Sequence, residues 1–235
     1  MQIRAAATAA LLVAVTAACS NHLSVPHAPS AAAFTAHATR STAQQDELVI
    51  ATGVTTLRVE STNMGPNLFI ATSPVGGAAR PVAVTDPHHV RLEAVSTGLA
   101  GVSELDVQLS SSVPWHVTVD GGTTDEAFDF SHGGVSSLDI VGGTSHLDVR
   151  LPTPSGTVTV RETGGASAAE VHAAANVPAQ VRFAGGAGSS TIDGVARSGI
   201  AGGTLVSPAG WGSATNKYDI ELDGGVSSFV LDRNN

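Results

Sequence analysis

The sequence predicts an all-β fold, a single β-solenoid with coils of about 21 residues, on three observations. Small-Gly or Gly-Gly pairs begin at Ala100, Gly121, Gly142, Gly164 and Gly185, in steps of 21, 21, 22 and 21, and another begins 39 residues on at Gly224. Within the units apolar and polar residues alternate with period 2, the pattern of a half-buried strand. The composition, with 26 glycines, 11 prolines and 4% aromatics, lacks any long i, i+3, i+4 apolar pattern and favours short strands and tight turns. A unit of about 21 residues cannot bury its apolar face alone, whereas stacked units bury one another's. An antiparallel β-sandwich is the alternative that the same strands and turns also satisfy.

The elements follow in chain order. Residues 1–18 carry Arg4, an apolar stretch from Ala5 to Val15 and small residues before Cys19, which is signal-peptide anatomy. The apolar run is shorter than the roughly 20 residues of a spanning helix. Val15-Thr16-Ala17-Ala18-Cys19 resembles the lipobox of bacterial lipoproteins, with Thr16 where that family usually has Leu. The resemblance implies cleavage before Cys19, diacylglycerol and an acyl chain on its sulfur and amine, and retention on the outer face of a bacterial membrane. Cys19 is the only cysteine, so the exported domain has no internal disulfide. Residues 19–47, with Pro26, Pro29, His22, His27, His37 and an Ala/Ser run, read as a disordered tether.

Residues 48–235 form the predicted domain. Residues 48–98 contain strand-like segments with little repeat character and are expected to cap the first coil. From Ala100 the units align: Leu105, Val107 and Leu109 correspond to Leu147, Val149 and Leu151, then to Ala169, Val171 and Ala173, all facing inward. Asp106, Asp148 and Glu170 face outward, as do Gln108, Arg150 and His172. In the second strand of each unit Val117 and Val119 match Val158 and Val160, then Val181 and Phe183. Pro114, Pro154 and Pro178 mark corners, where a missing N–H costs no ladder bond. Residues 195–217 interrupt the repeat with a Gly/Ser/Ala-rich insertion carrying Trp211, a candidate binding loop. The repeat resumes at Tyr218. At this coil length the domain would hold about nine coils in a rod of about 40 Å.

Gly133-Gly134-Val135-Ser136-Ser137-Leu138-Asp139, Gly142-Gly143-Thr144-Ser145-His146-Leu147-Asp148, Ala187-Gly188-Ser189-Ser190-Thr191-Ile192-Asp193 and Gly224-Gly225-Val226-Ser227-Ser228-Phe229 resemble the repeats of bacterial toastrack-type adhesin domains. That resemblance covers roughly residues 50–235. It implies a β-helix-like envelope domain with no catalytic residues to carry over.

Charge and motif narrow the function further. Without residues 1–18 the chain has 10 Lys+Arg, Arg4 having gone, against 20 Asp+Glu, a formal net charge of −10. An electrostatic footprint for nucleic acid is absent. The Gly133-to-Gly142 step is like the calcium-binding nonapeptide, but Ser136 and Ser145 replace its second turn glycine and Asp139 and Asp148 stand one place late, on the opposite strand face. No G-x-S-x-G elbow occurs, and Gly185-Gly186-Ala187-Gly188-Ser189-Ser190-Thr191 lacks the lysine of a phosphate loop. His88, His89, His116, His132, His146 and His172 hold different offsets in their units and form no metal-spaced column. Trp115 has the parity of the buried valines and is assigned to the core or a corner.

The expectation is a non-enzymatic, lipid-anchored envelope protein without metal or cofactor. Its flank, with Asp106, Asp148, Glu170, Arg150, His172 and Trp211, would meet a protein or glycan. The alternative is a carrier of a small or lipidic molecule, which requires an internal cavity.

Overall fold

A computed structural model describes residues 33–40, 46–51, 53–86 and 89–233. The signal segment, Cys19, His22, His27 and most of the expected tether lie outside the described residues. Among the described residues the chain is all-β, built from two mixed sheets with one 3₁₀ turn at Trp211–Ser213.

The interior of both sheets is parallel and arranged in seven tiers, each giving one strand to sheet B and the next to sheet A. With strands numbered along the chain, the tiers are β2 (Glu47–Ile50) with β3 (Thr56–Thr62), β6 (His89–Ser96) with β7 (Glu104–Ser110), and β8 (Trp115–Val119) with β9 (Asp125–Asp129). The others are β10 (Val135–Ile140) with β11 (Thr144–Arg150), β12 (Thr157–Glu162) with β13 (Ala166–His172), β14 (Ala179–Phe183) with β15 (Ala187–Ile192), and β18 (Lys217–Leu222) with β19 (Val226–Asp232). Antiparallel strands finish the ends. β1 (Phe34–Thr39), β4 (Asn67–Ser73) and β5 (Ala79–Thr85) close one, and β16 (Val195–Ile200) and β17 (Thr204–Val206) the other. Those end strands account for fewer parallel tiers than the nine coils expected from length.

The tiers are not stacked in chain order. β2/β3, the first in sequence, lies between β6/β7 and β8/β9, and β18/β19, the last, lies between β12/β13 and β14/β15. Several expectations change accordingly. The 39-residue step to Gly224 is one tier slipped between two earlier ones, not two successive units. Residues 48–98 supply interior tiers as well as a cap, because β2 and β3 carry the inward alternation of Leu48, Ile50, Leu57 and Val59 that a central strand needs. Residues 195–217 are the closing cap at the far end. The stretch read as tether includes β1, which pairs antiparallel with β4 from Phe34 opposite Ser73, and the first residue of β2.

The glycine pairs stack at the corner leading from sheet B to sheet A, and the ladder continues through them. Thr123 N–H donates to Gly143 O at 3.1 Å, Thr144 N–H to Gly165 O at 3.0 Å, Ala166 N–H to Gly225 O at 3.2 Å and Val226 N–H to Gly186 O at 3.2 Å. The backbones approach so closely that a Cβ on Gly164 would lie 2.3 Å from Gly142 C, and one on Gly142 would lie 2.4 Å from Gly121 C. The repeat of about 21 residues is therefore the spacing at which the chain returns to a corner that admits no side chain.

Inside, the two sheets share one apolar core. Trp115, Phe69, Phe128, Phe130, Phe183, Phe229 and Tyr218 are fully buried among the Leu, Ile and Val columns. Trp115 Nε1 donates to Ser110 O at 3.1 Å, and Phe183 and Phe229 meet edge to face at 5.5 Å. Each fully buried Leu, Ile, Val or Phe contributes about 1.5–3 kcal/mol of transfer free energy. Tyr218 ties the core to the proline corners: its hydroxyl donates to Pro152 O at 2.7 Å and accepts from Ala174 N–H at 3.1 Å. Tyr218→Phe strands both backbone groups, and calorimetry is expected to show a loss of about 1–3 kcal/mol; an unchanged melting temperature would show that water replaces the hydroxyl.

Two carboxyl groups are buried with the apolar columns. In sheet A the inward register runs Leu105, Leu57, Glu126, Leu147, Ala169, Phe229. In sheet B it places Glu162 beside Ile140 and Leu222, in line with Val119 and Phe183. Val117 is thus in line with Val160 rather than Val158: the facing alternation is as expected, but the register is shifted by two residues, and the shift carries Glu162 inside. Glu126 and Glu162 are 2% and 0% exposed, and none of their four oxygens has a partner in hydrogen-bonding geometry. Thr123 approaches Glu126, but its hydroxyl donates to Thr144 Oγ1 at 3.0 Å. Burial, with Glu162 as a second repulsive charge, raises the pKa of Glu126 to about 7. Burial likewise raises Glu162, reinforced by Asp223 and only partly opposed by the amides of Gly164 and Gly165.

Candidate binding face

The outward side of sheet A gathers most of the side chains expected at a binding surface, with additions. Parallel register aligns residues of successive tiers side by side, so each outward position becomes a column crossing the strands. One column runs Asp106, Arg58, Ala127, Asp148, Glu170 and Val230; the next runs Gln108, Glu60, Asp129, Arg150, His172 and Asp232. Asp148 and Glu170 are neighbours, as are Arg150 and His172. Asp106 is not next to Asp148, because β3 and β9 place Arg58 and Ala127 between them. The continuous ladder of acids expected from the repeat is therefore broken by an arginine and a methyl group.

Pairing is dense. Arg58 makes ion pairs with Glu104 and, at 3.4 Å, with Asp106; the hydrogen bond to Glu104 raises the arginine's pKa despite slight desolvation. His146 Nδ1 lies 3.0 Å from Asp125, Arg150 lies 3.6 Å from Asp148, and His172 Nε2 lies 3.8 Å from Asp148 and 4.0 Å from Glu170. Burial pushes the Asp129 carboxyl up, but Ser131, through its hydroxyl at 2.6 Å and its N–H at 2.9 Å, more than offsets this and holds it below the ordinary value. Eight carboxylates, Glu60, Glu104, Asp106, Asp125, Asp129, Asp148, Glu170 and Asp232, share this face with two arginines, Arg58 and Arg150.

Where Ala127 interrupts the long side chains the face sinks into two adjoining depressions of about 370 and 470 Å³. They share Arg58, Ala127 and Asp148; His146 and Glu170 border the first, and Asp106, Asp129 and Arg150 the second. Both open to solvent. The arrangement offers paired donors and acceptors to a hydroxyl-rich or charged partner across several tiers. Among the described residues no cluster of three or more His, Cys, Asp or Glu side chains is placed to hold a metal ion.

Trp211 is not on this face. It sits in the 3₁₀ turn before β18, half buried, its Nε1 donating to Tyr218 O at 2.8 Å and its ring 4.4 Å from Lys217 Nζ. Its own chain already holds it on both counts. Sequence reasoning missed Arg58, Asp125 and Ala127, although the alternation in 56–60 was legible: Gly53 stands alone, so no glycine pair marks β2/β3 as a tier.

No protein-family profile matches the chain, and no curated protein matches it in sequence. Among solved structures, that of a "putative cell adhesion protein" from Clostridium sporogenes ATCC 15579 is similar with a TM-score of 0.64 at 18% identity, covering 86% of this chain and 100% of that one. At that identity the likeness establishes a shared all-β fold.

Proposed function

We propose that the chain is a non-enzymatic, lipid-anchored protein of the bacterial cell envelope. Its two sheets are successive flanks of one β-solenoid, and its sheet A flank binds a protein or glycan. The solenoid reading is supported by the parallel pairing of the interior strands and the alternation of sheets through a common glycine corner, whereas sandwich sheets are antiparallel. The anchor reading rests on the sequence around Cys19. The binding reading rests on one observation: the depressions at Ala127, floored by a methyl group and walled by charged side chains from several tiers. An extended polar surface of this kind suits a repeating partner engaged along several tiers. A carrier of a lipidic molecule would instead need an enclosed cavity, and these depressions face outward.

A photo-crosslinking amino acid placed at Ala127 in intact cells is expected to give one discrete adduct. The same probe at Thr118, on the outward side of sheet B, is expected to give none. Equal labelling at the two positions, or no adduct at Ala127, would make the face an ordinary solvated flank. Cys19→Ala is expected to release the protein from the membrane fraction.

A further inference from the structure

The end of the stack where the chain enters carries an apolar corner. Loops 74–78 and 97–103 lie side by side there, with Ala78 N–H donating to Val102 O and Thr97 N–H to Ala78 O, each at 2.9 Å. Val75, Leu99 and Val102 stand out from these loops, 49%, 54% and 60% exposed. Val95, also exposed, adjoins them on β6, and register sets it opposite Arg80. Arg80 is exposed and has no carboxylate partner among the described residues. The core does not account for these residues: β4, β5 and β6 bury Leu68, Phe69, Ala71, Ala79, Val90 and Leu92 on their inner side. Scattered exposed valines need no explanation, but a cluster on two bonded loops beside an exposed arginine does.

The path of the chain indicates what covers the corner. Phe34 is opposite Ser73, so β1 begins where β4 runs out into loop 74–78. The polypeptide leading back to Cys19 therefore joins the domain beside Val75. Residues 20–33 reach at most about 50 Å. A lipid on Cys19 holds this corner at high effective concentration near the bilayer, so a contact too weak to bind alone becomes occupied.

We propose that this corner rests on the lipid surface, with Val75, Leu99 and Val102 in the interfacial layer and the Arg80 guanidinium among anionic headgroups. Arginine suits that place because its stem packs against apolar neighbours while its charge stays with the headgroups. The proposal builds on the Cys19 anchor and adds a second membrane contact, which leaves the β16/β17 end directed away from the bilayer.

Cys19 is the sole cysteine, so the full chain can be coupled through it to maleimide-headgroup lipids in vesicles of phosphatidylcholine and phosphatidylglycerol. Hydrogen exchange of coupled against uncoupled protein is expected to be several-fold slower in loops 74–78 and 97–103 and unchanged in β16 and β17. Val75→Ser/Leu99→Ser/Val102→Ser is expected to abolish the difference at an unaltered melting temperature, and Arg80→Glu to reduce it. Equal exchange at both loops with and without vesicles overturns the proposal. Chemical coupling makes this result independent of lipidation in cells. The mass of the mature chain from its host membrane tests that separately, and an unmodified Cys19 would remove the anchor reading while leaving the vesicle result intact.

Discussion

Gly164→Ala is expected to destabilise the domain by about 3 kcal/mol or more, at the upper end of what overpacking costs. The added methyl would lie 2.3 Å from Gly142 C and 2.4 Å from Gly143 N. Neither atom belongs to a side chain that can turn aside. Relief requires the two tiers to separate, and the bonds from Thr144 N–H to Gly165 O and from Thr163 N–H to Ile140 O resist that. For a domain of this size the melting temperature should fall by roughly 6–12 °C. Gly212→Ala is the control, since its Cβ would meet nothing within 4 Å, and its melting temperature should not change. If the two variants melt together, the glycine column is looser than its geometry implies.

The second large effect concerns Glu126. Its folded pKa of about 7 lies above the ordinary 4.5, so between those values the folded state holds a proton that the unfolded state has released. Stability is then fully present below about pH 4.5, is lost as pH rises towards 7, and levels off above it. The slope is about 1.4 kcal/mol per pH unit, or about 3 kcal/mol across the window. Glu162 acts in the same direction. Asp129 acts in the opposite one: its depressed pKa contributes stability above its ordinary value that is lost in more acidic solution. Thermal midpoints are expected to peak near about pH 4.5 and fall towards pH 8, while Glu126→Gln should flatten the fall and melt higher than the parent at pH 8. A parent profile flat from pH 5 to 8 would mean that water or an ion reaches these carboxylates.

The sequence made some levels of this structure legible and concealed others, for definite reasons. Alternation is a local property, so the inward facing of Leu105, Leu147 and Val171 and the outward facing of Asp148, Glu170, Arg150 and His172 could be read directly. The glycine spacing revealed the corner because a steric requirement repeats in the chain wherever the backbone returns to it. Tier order is not local. Nothing in the residues 217–232 states which strands they will lie between, and the step of 39 fits two successive units as well as a slipped tier. The Ala127 depressions depended on that order, since Arg58 meets Asp106 only because β3 lies against β7. Glu162 was concealed by the two-residue shift in register, which sequence matching of Val158 with Val117 could not detect.

The interleaving of the end tiers bears on how the protein is completed. A stack wound in order can grow from one end as the chain is supplied, and can fray from either end. Here β14/β15 have no parallel neighbour until β18/β19, which follow them in the chain, slide in beside β12/β13. The β18/β19 pair acts as a keystone, and the stack locks only when that pair is in place. Once locked, β2/β3 and β18/β19 are interior pairs, so releasing either means drawing it out from between two parallel neighbours, even if the antiparallel edge strands peel first. Such a barrier protects the domain by slow unfolding, where a single cysteine in the sequence allows no internal disulfide to do so.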